Sequence, residues 1–143
     1  MQPSGSVSLG LLILRLAAGI TLLVHGWQKY FEFGLVGVQK SFAGMNVPLP
    51  EVSAVYQSTL ELVGGIALIV GLATRIVGVL VAISMAYAAF AVHLSAGFFA
   101  VDGGYELVML IGAAGLALAF TGPGRASIDG LLFGRNRSRT EDV

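Results

Sequence analysis

The sequence predicts an all-α membrane protein: a four-helix transmembrane bundle with a short interfacial helix between the first and second spans. Of its 143 residues, 56% are hydrophobic and 11% are charged, whereas about a quarter of the residues in an ordinary soluble domain are charged. Four apolar runs reach the roughly 20 residues that a helix needs to cross a bilayer. These runs are rich in Leu and Ala and lack the period-two alternation of a membrane β-barrel.

The chain is expected to form a single membrane domain over residues 1–143. Its four spans follow the apolar runs and are placed at residues 7–28, 52–72, 76–97 and 102–121. The links after the second and third spans are short, so the helices that they join should be antiparallel neighbours. The link at 29–51 is long, and apolar residues recur in it near helical spacing, namely Leu35, Val38, Phe42 and Met45. This pattern predicts the interfacial helix.

The basic residues outside the spans predict the orientation of the chain. One side carries Arg75, Arg125, Arg135, Arg137 and Arg139, and the other side carries Lys29 and Lys40. Because cytoplasmic loops carry an excess of Lys and Arg, both termini should lie in the cytoplasm. Residues 135–143 are expected to form a flexible cytoplasmic tail.

Charge and cysteine content exclude several classes of function. The formal net charge is zero, so the chain has no overall field that would attract nucleic acid. The chain has no cysteine, which excludes disulfides, thiolate catalysis and thiolate metal ligation. The partner that the composition does predict is the lipid bilayer.

Five ionisable side chains fall inside the predicted spans: Arg15, His25, Glu61, His93 and Glu106. A charge at the centre of a bilayer costs about 2.5–3.5 kcal/mol, so each of these side chains should face protein or water and have a partner. At a rise of about 1.5 Å per residue, Arg15 and Glu61 both fall near the midplane. The depths therefore predict a structural ion pair between these two residues. The alternative interpretation is that the pair forms part of a ligand or proton path.

The other three side chains, His25, His93 and Glu106, fall near the outer boundary on three different helices. The bundle could bring them together in one outward-facing polar pocket, with Lys29 one turn after His25 on the same face. Two interpretations stay open for this cluster, a hydrogen-bonded network that stabilises the fold and a ligand-binding site. A metal site is not expected, because the chain has no Glu-x-x-His pair and too few ligands.

Small residues share a helix face with the ionisable ones. Ala18 and Gly19 lie on the face of Arg15, and Gly64 and Gly65 lie on the face of Glu61. Small residues let membrane helices approach closely. The ionisable groups are therefore expected to point into the bundle rather than towards lipid.

A series of short motifs, taken in order, resembles one family. The motifs are Leu14-Arg15-Leu16, His25-Gly26-Trp27-Gln28-Lys29, Glu61-Leu62-Val63-Gly64-Gly65, Gly71-Leu72-Ala73-Thr74-Arg75, His93, Tyr105-Glu106-Leu107, Gly122-Pro123-Gly124-Arg125 and Ser127-Ile128-Asp129. Over about Gly10 to Leu132 the chain resembles the DoxX family of small bacterial membrane proteins. The resemblance implies a place in the bacterial inner (plasma) membrane and a link to respiratory or oxidative-stress redox chemistry. It implies a shared polar core, Arg15, His25, Lys29, Glu61, His93 and Glu106, without an agreed set of catalytic residues.

Three functions are compatible with the sequence. The leading hypothesis is a redox-associated membrane subunit that binds a quinone in the outer-leaflet pocket. The second is a non-catalytic membrane anchor or assembly factor for soluble or membrane partners. Its binding surfaces would be the tail, which would hold soluble redox proteins at the cytoplasmic face, and residues 29–51 on the opposite side. The third is a small-molecule or proton transporter, in which a homo-oligomer could form the pore. The chain has no nucleotide-binding fingerprint and no cysteine for an iron–sulfur cluster, which favours a non-catalytic subunit over a stand-alone enzyme.

Overall fold

The computed structural model describes residues 3–134, and every regular element in that range is helical. Residues 135–143, for which the sequence predicts a flexible tail, lie outside the described residues. The α-helices, in chain order, are α1 (Gly5–Trp27), α2 (Leu35–Gly44), α3 (Pro50–Val70), α4 (Thr74–Tyr87), α5 (Glu106–Thr121) and α6 (Ile128–Gly134). Two π-helical segments, Gln28–Glu32 and Ala88–His93, continue α1 and α4, and 3-10 turns lie at Leu94–Ala96 and Ala100–Asp102.

Three continuous helices are long and apolar enough to cross a membrane: Gly5–Glu32, Pro50–Val70 and Thr74–Ala96. These helices confirm the prediction of an all-α membrane protein in a lipid environment. A fourth apolar helix, α5, has 16 residues and a length of about 24 Å, less than the roughly 30 Å of a bilayer core. It starts later than the predicted 102, because the 3-10 turn at Ala100–Asp102 ends at Gly103, whose φ is +83°.

Local chemistry explains where the long helices begin and end. The Ser4 hydroxyl accepts a hydrogen bond of 3.4 Å from the Val7 amide and so caps α1. Pro50 occupies the first turn of α3, where its missing N–H is not needed. The same helix ends at Gly71, whose left-handed φ of +72° a residue with a Cβ would rarely adopt.

The helices pack as two antiparallel pairs, α1 with α3 and α4 with α5. In the first pair the backbones touch at glycines: a Cβ on Gly19 would lie 2.8 Å from the Gly65 carbonyl oxygen, and one on Gly26 would run into the Leu62 backbone. The second pair crosses at Gly78, where a Cβ would lie 2.9 Å from the Ala119 nitrogen. The prediction of close helix contact at small residues is confirmed for the described chain.

Replacing Gly19 with alanine is expected to destabilise the protein by about 1–3 kcal/mol, because the added methyl group forces the two backbones apart. Gly10 lies on the same helix, and a methyl group added there would have no neighbouring atom within 4 Å. Gly10→Ala should therefore be neutral or stabilise the helix by about 0.5–1 kcal/mol. Thermal unfolding in detergent compares the two variants, and equal midpoints would contradict the glycine contact.

The turn between α3 and α4 is held by residues from the end of the described chain. The Asp129 carboxylate accepts hydrogen bonds from the Ala73 amide (2.8 Å) and the Thr74 amide (2.9 Å), so it caps α4 from another helix. The Asp129 amide in turn donates to the Gly71 carbonyl at 3.0 Å. We call this end of the bundle the closed end. From the sequence, Asp129 was noted only as part of the motif Ser127-Ile128-Asp129, whereas in the structure it caps a helix.

Arg75 ties the second pair together at the closed end. Its guanidinium donates to the carbonyl oxygens of Ala119 (3.0 Å) and Phe120 (2.6 Å), at the carboxyl end of α5. A cation is favourable there, because the last carbonyls of a helix lack partners within the helix and carry partial negative charge. From the sequence, Arg75 served to predict the orientation of the chain, and its contact with α5 was not predicted.

Candidate functional site

A cavity of about 1080 Å³ lies between the two helix pairs, at the end of the bundle away from the closed end. Most of its wall is apolar, from Leu22, Val38, Met85 and Ile111 among others. Its polar lining residues are His25, Lys29, Ser41, Ser53, Tyr56, Gln57, Glu61, Ser84, Tyr87 and His93. The cavity is about the size of the larger ligand pockets in proteins and, like them, combines apolar walls with a few polar groups.

Glu61 is the most buried charge in the cavity wall and is 5% exposed. Its carboxylate accepts hydrogen bonds from the Lys29 ammonium and, at 2.8 Å, from the Gln57 amide. Gln57 lies one turn before Glu61 on α3, and Lys29 reaches across from the π-helical segment that continues α1. Two donors thus satisfy a carboxylate that could not remain charged alone in an apolar environment.

The structure places Arg15 far from Glu61 and does not form the predicted Arg15–Glu61 pair. Arg15 is fully buried at the closed end, where its Nη2 donates to the Ala126 carbonyl at 2.6 Å and its guanidinium packs against Gly71. Gly71 lies ten residues beyond Glu61, about 15 Å along the helix. Lys29 takes the place that the sequence-based prediction gave to Arg15.

The depth estimate for Arg15 and Glu61 assumed that the first two spans begin and end at the same levels. In the structure α2 packs against α3, and the contact between α1 and α3 places Gly19 beside Gly65 and Gly26 beside Leu62. Arg15 therefore lies beside Gly71 rather than Glu61, which corresponds to a shift of α3 along α1 of about 15 Å. The residues opposite Glu61 are therefore those that follow Gly26, which brings in Lys29.

His25 and His93 both line the cavity, from opposite helix pairs. The His93 Nδ1 lies 2.6 Å from the Gly103 carbonyl oxygen. A carbonyl can only accept, so Nδ1 donates, and in the neutral ring Nε2 is left as an acceptor. His25 makes no hydrogen bond within the described part of the chain. Two imidazoles in the wall therefore have hydrogen-bonding capacity to offer a ligand.

Glu106 is not among the residues that line the cavity. As the first residue of α5, it accepts a hydrogen bond of 3.0 Å from the Ala100 amide. Ala100, Gly103 and Gly104 line the cavity, so Glu106 holds the loop that covers one side. The predicted cluster of His25, His93 and Glu106 is therefore only partly formed. The two histidines line the cavity, whereas the Glu106 carboxylate holds the loop beside it.

Both π-helical segments border the cavity and carry polar lining residues. Lys29 lies in the segment Gln28–Glu32, and His93 ends the segment Ala88–His93. A π-turn inserts an extra residue and turns the following side chains to a new face, and such turns are common at functional sites. Neither segment could be predicted from the sequence, because a π-turn has no distinctive residue pattern.

Ser84 and Tyr56 were missed from the sequence as wall residues. The Ser84 hydroxyl donates to the Tyr56 phenol at 3.4 Å and links α4 to α3 across the wall. Tyr87 lies nearby on α4 and also lines the cavity. Their hydroxyl groups could have indicated this role, since a hydroxyl within an apolar helix often bonds to a partner on another helix.

No group of three or more His, Asp or Glu side chains that could hold a metal ion occurs among residues 3–134. The wall instead offers an ammonium, an amide, two imidazoles and two phenols within an apolar enclosure. This arrangement can orient a small organic molecule by hydrogen bonds to a polar head while its apolar part contacts the helices.

The fold and the cavity define an all-helical membrane protein with a polar-lined internal site. Comparisons with known proteins assign it to a family: DoxX matches residues 10–94, more than half of the chain. The chain belongs to the DoxX family.

Two relatives match most of the chain. It is 36% identical over 128 residues, 90% of each chain, to a Bacillus subtilis protein named "Putative oxidoreductase CatD". It is 31% identical over 126 residues, 86% of this chain and 90% of the relative, to a Haemophilus influenzae protein named "Uncharacterized protein". No solved structure matches the chain significantly.

Proposed function

We propose that this protein is a redox-associated membrane subunit that binds a quinone in the cavity between its helix pairs. One observation carries the proposal: His25, Lys29 and His93 converge from both pairs on a single apolar enclosure. A quinone has the matching chemistry, with carbonyl oxygens on a flat ring and an apolar tail. The name of the Bacillus subtilis relative, which includes the word oxidoreductase, supports an association with redox chemistry.

The wall can recognise both redox forms of a quinone. The carbonyl oxygens of the oxidised form can accept from Lys29 and His25, which provide N–H donors. The hydroxyl groups of the reduced form can donate to the His93 Nε2, which the Gly103 contact leaves as an acceptor. Two-electron reduction of a quinone takes up two protons, and histidine serves as a proton shuttle in proteins. A partner protein supplies the electrons.

The proposal includes a topology. The chain crosses the bacterial inner (plasma) membrane four times, with α5 as the short fourth span and α2 at the outer interface. Both termini then lie in the cytoplasm, together with Arg75 and the closed end. The cavity lies in the outer half of the bilayer, where a lipid-soluble ligand can reach it.

The test is quinone retention. Protein purified in mild detergent should release quinone on solvent extraction, and His25→Ala and His93→Ala should each lower the affinity by about tenfold, a loss of about 1.4 kcal/mol. Binding can be titrated by quenching of Trp27, the single tryptophan, which lies two residues before Lys29. Gln39→Ala, a polar change on α2 outside the cavity lining, is the matched control.

Three results would contradict this proposal. The first is that the purified protein carries no quinone, and the second is that added quinone does not quench Trp27. The third is that the His25→Ala and His93→Ala variants bind quinone with the same affinity as Gln39→Ala. Under any of them, the polar wall would serve only to stabilise the bundle, as an anchor or assembly factor would need.

A further inference from the structure

A second hollow, of about 390 Å³, lies along the seam between α4 and α5. We call it the seam groove. Its lining is almost entirely apolar and includes the small exposed side chains of Ala86 and Ala113 together with Phe90 and Leu116. The groove and the cavity share two lining residues, Met85 and Val108. The two spaces are therefore neighbours, separated by those side chains.

We propose that the seam groove holds the apolar tail of the ligand whose polar head occupies the cavity. This inference rests on the proposed function and specifies the ligand class as a lipid-soluble molecule with a long tail. The head-binding groups, Lys29, His25 and His93, lie in the cavity, and the groove begins at its Met85–Val108 wall. A tail that leaves the cavity there enters a continuous apolar surface that faces lipid.

The structure favours a path for the ligand tail between α4 and α5 over a path between α1 and α3. The backbones of α1 and α3 are in direct contact at Gly19, Gly65 and Gly26, which leaves no gap for a tail. Between α4 and α5 the direct backbone contact is at Gly78 and Gly115, nearer the closed end than the groove.

Met85 is suited to act as the movable part of the wall. It is unbranched and flexible, so its side chain can change rotamer at low cost. Gly112 opposes it, where an added Cβ would lie 3.0 Å from the Met85 Cβ. The glycine thus leaves room beside Met85 that any other residue would fill.

The experiment fills the groove without touching the cavity. Ala86→Leu and Ala113→Leu add bulk to exposed groove positions, and neither residue lines the cavity. Ala117→Leu makes the same change on an exposed residue of α5 outside the groove and is the control. Two probes are titrated against each variant by Trp27 quenching: a tail-less benzoquinone and the same ring with a long isoprenoid tail.

We expect the filled variants to bind the tailed probe about tenfold more weakly and the tail-less probe as the unmodified protein does. Equal binding of both probes by all variants would overturn the groove and leave the quinone site intact. Failure of the unmodified protein to bind either probe would overturn the quinone site itself, and the groove with it.

A photoreactive group at the end of the tail gives a measurement that does not depend on variant stability. In the unmodified protein it should label peptides that contain residues 82–94 and 105–116. Labelling confined to α1 or α2 would overturn the seam groove as the tail site.

Discussion

Replacing Glu61 with glutamine is expected to lower the free energy of unfolding by about 3–5 kcal/mol, the usual cost of leaving one partner of a buried ion pair alone. Glutamine keeps the shape of the side chain and can still accept from Gln57. It removes the negative charge that compensates the Lys29 ammonium, whose side chain is only 19% exposed. The loss is therefore electrostatic rather than steric.

A double-mutant cycle separates the charge pair from the individual side chains. Lys29→Met should destabilise the protein by a similar amount, whereas the double variant Lys29→Met with Glu61→Gln should recover most of the loss. Unfolding by SDS in mixed micelles gives the four free energies. Glu51→Gln changes an exposed carboxylate in the first turn of the same helix and should have little effect. Strictly additive losses would contradict the pair.

Asp129→Ala is expected to destabilise the closed end by about 2–4 kcal/mol, because two hydrogen bonds to a charged group are lost at once. The amides of Ala73 and Thr74 then have no cap, and the two hydrogen bonds that the Asp129 carboxylate accepts no longer hold α6 against the start of α4. Asp129→Asn keeps one acceptor oxygen, so its stability should lie between that of the unmodified protein and that of Asp129→Ala. Asp102→Ala removes an exposed carboxylate at the opposite end and is the control.

The same variant has a local readout. Because the chain contains no cysteine, a Thr74→Cys substitution introduces a single thiol at a fully buried site. Alkylation of that thiol should be slow in the Asp129 background and much faster with Asp129→Ala, as the turn opens. An unchanged alkylation rate would show that Asp129 does not hold the turn.

The sequence was sufficient for the helical class and for several of the side chains that face inward. Hydropathy located the three long helices, and helical periodicity placed His25 and Lys29 on one face and Glu61 beside Gly64 and Gly65. These features follow from local spacing, which a single helix determines by itself.

Contacts between helices could not be predicted in the same way. The pairing of Glu61 with Lys29 depends on how far α3 slides along α1, and that distance is set by glycine contacts and by α2. The sequence does not encode such a distance locally. Likewise, Asp129 and Ala73 are 56 residues apart, and nothing near either residue identifies the other as its partner.

The closed end has a consequence for biosynthesis. Ribosomes make the amino-terminal residues first, so α3, its turn and α4 exist before the residues that cap them. Until Ala126 and Asp129 emerge, the Arg15 guanidinium has no carbonyl to receive its Nη2 hydrogen bond, and the amides at 73 and 74 have no acceptor. The hydrogen bonds of the closed end can therefore form only after residues 126–129 have been made, later than α1 and α4, which they hold.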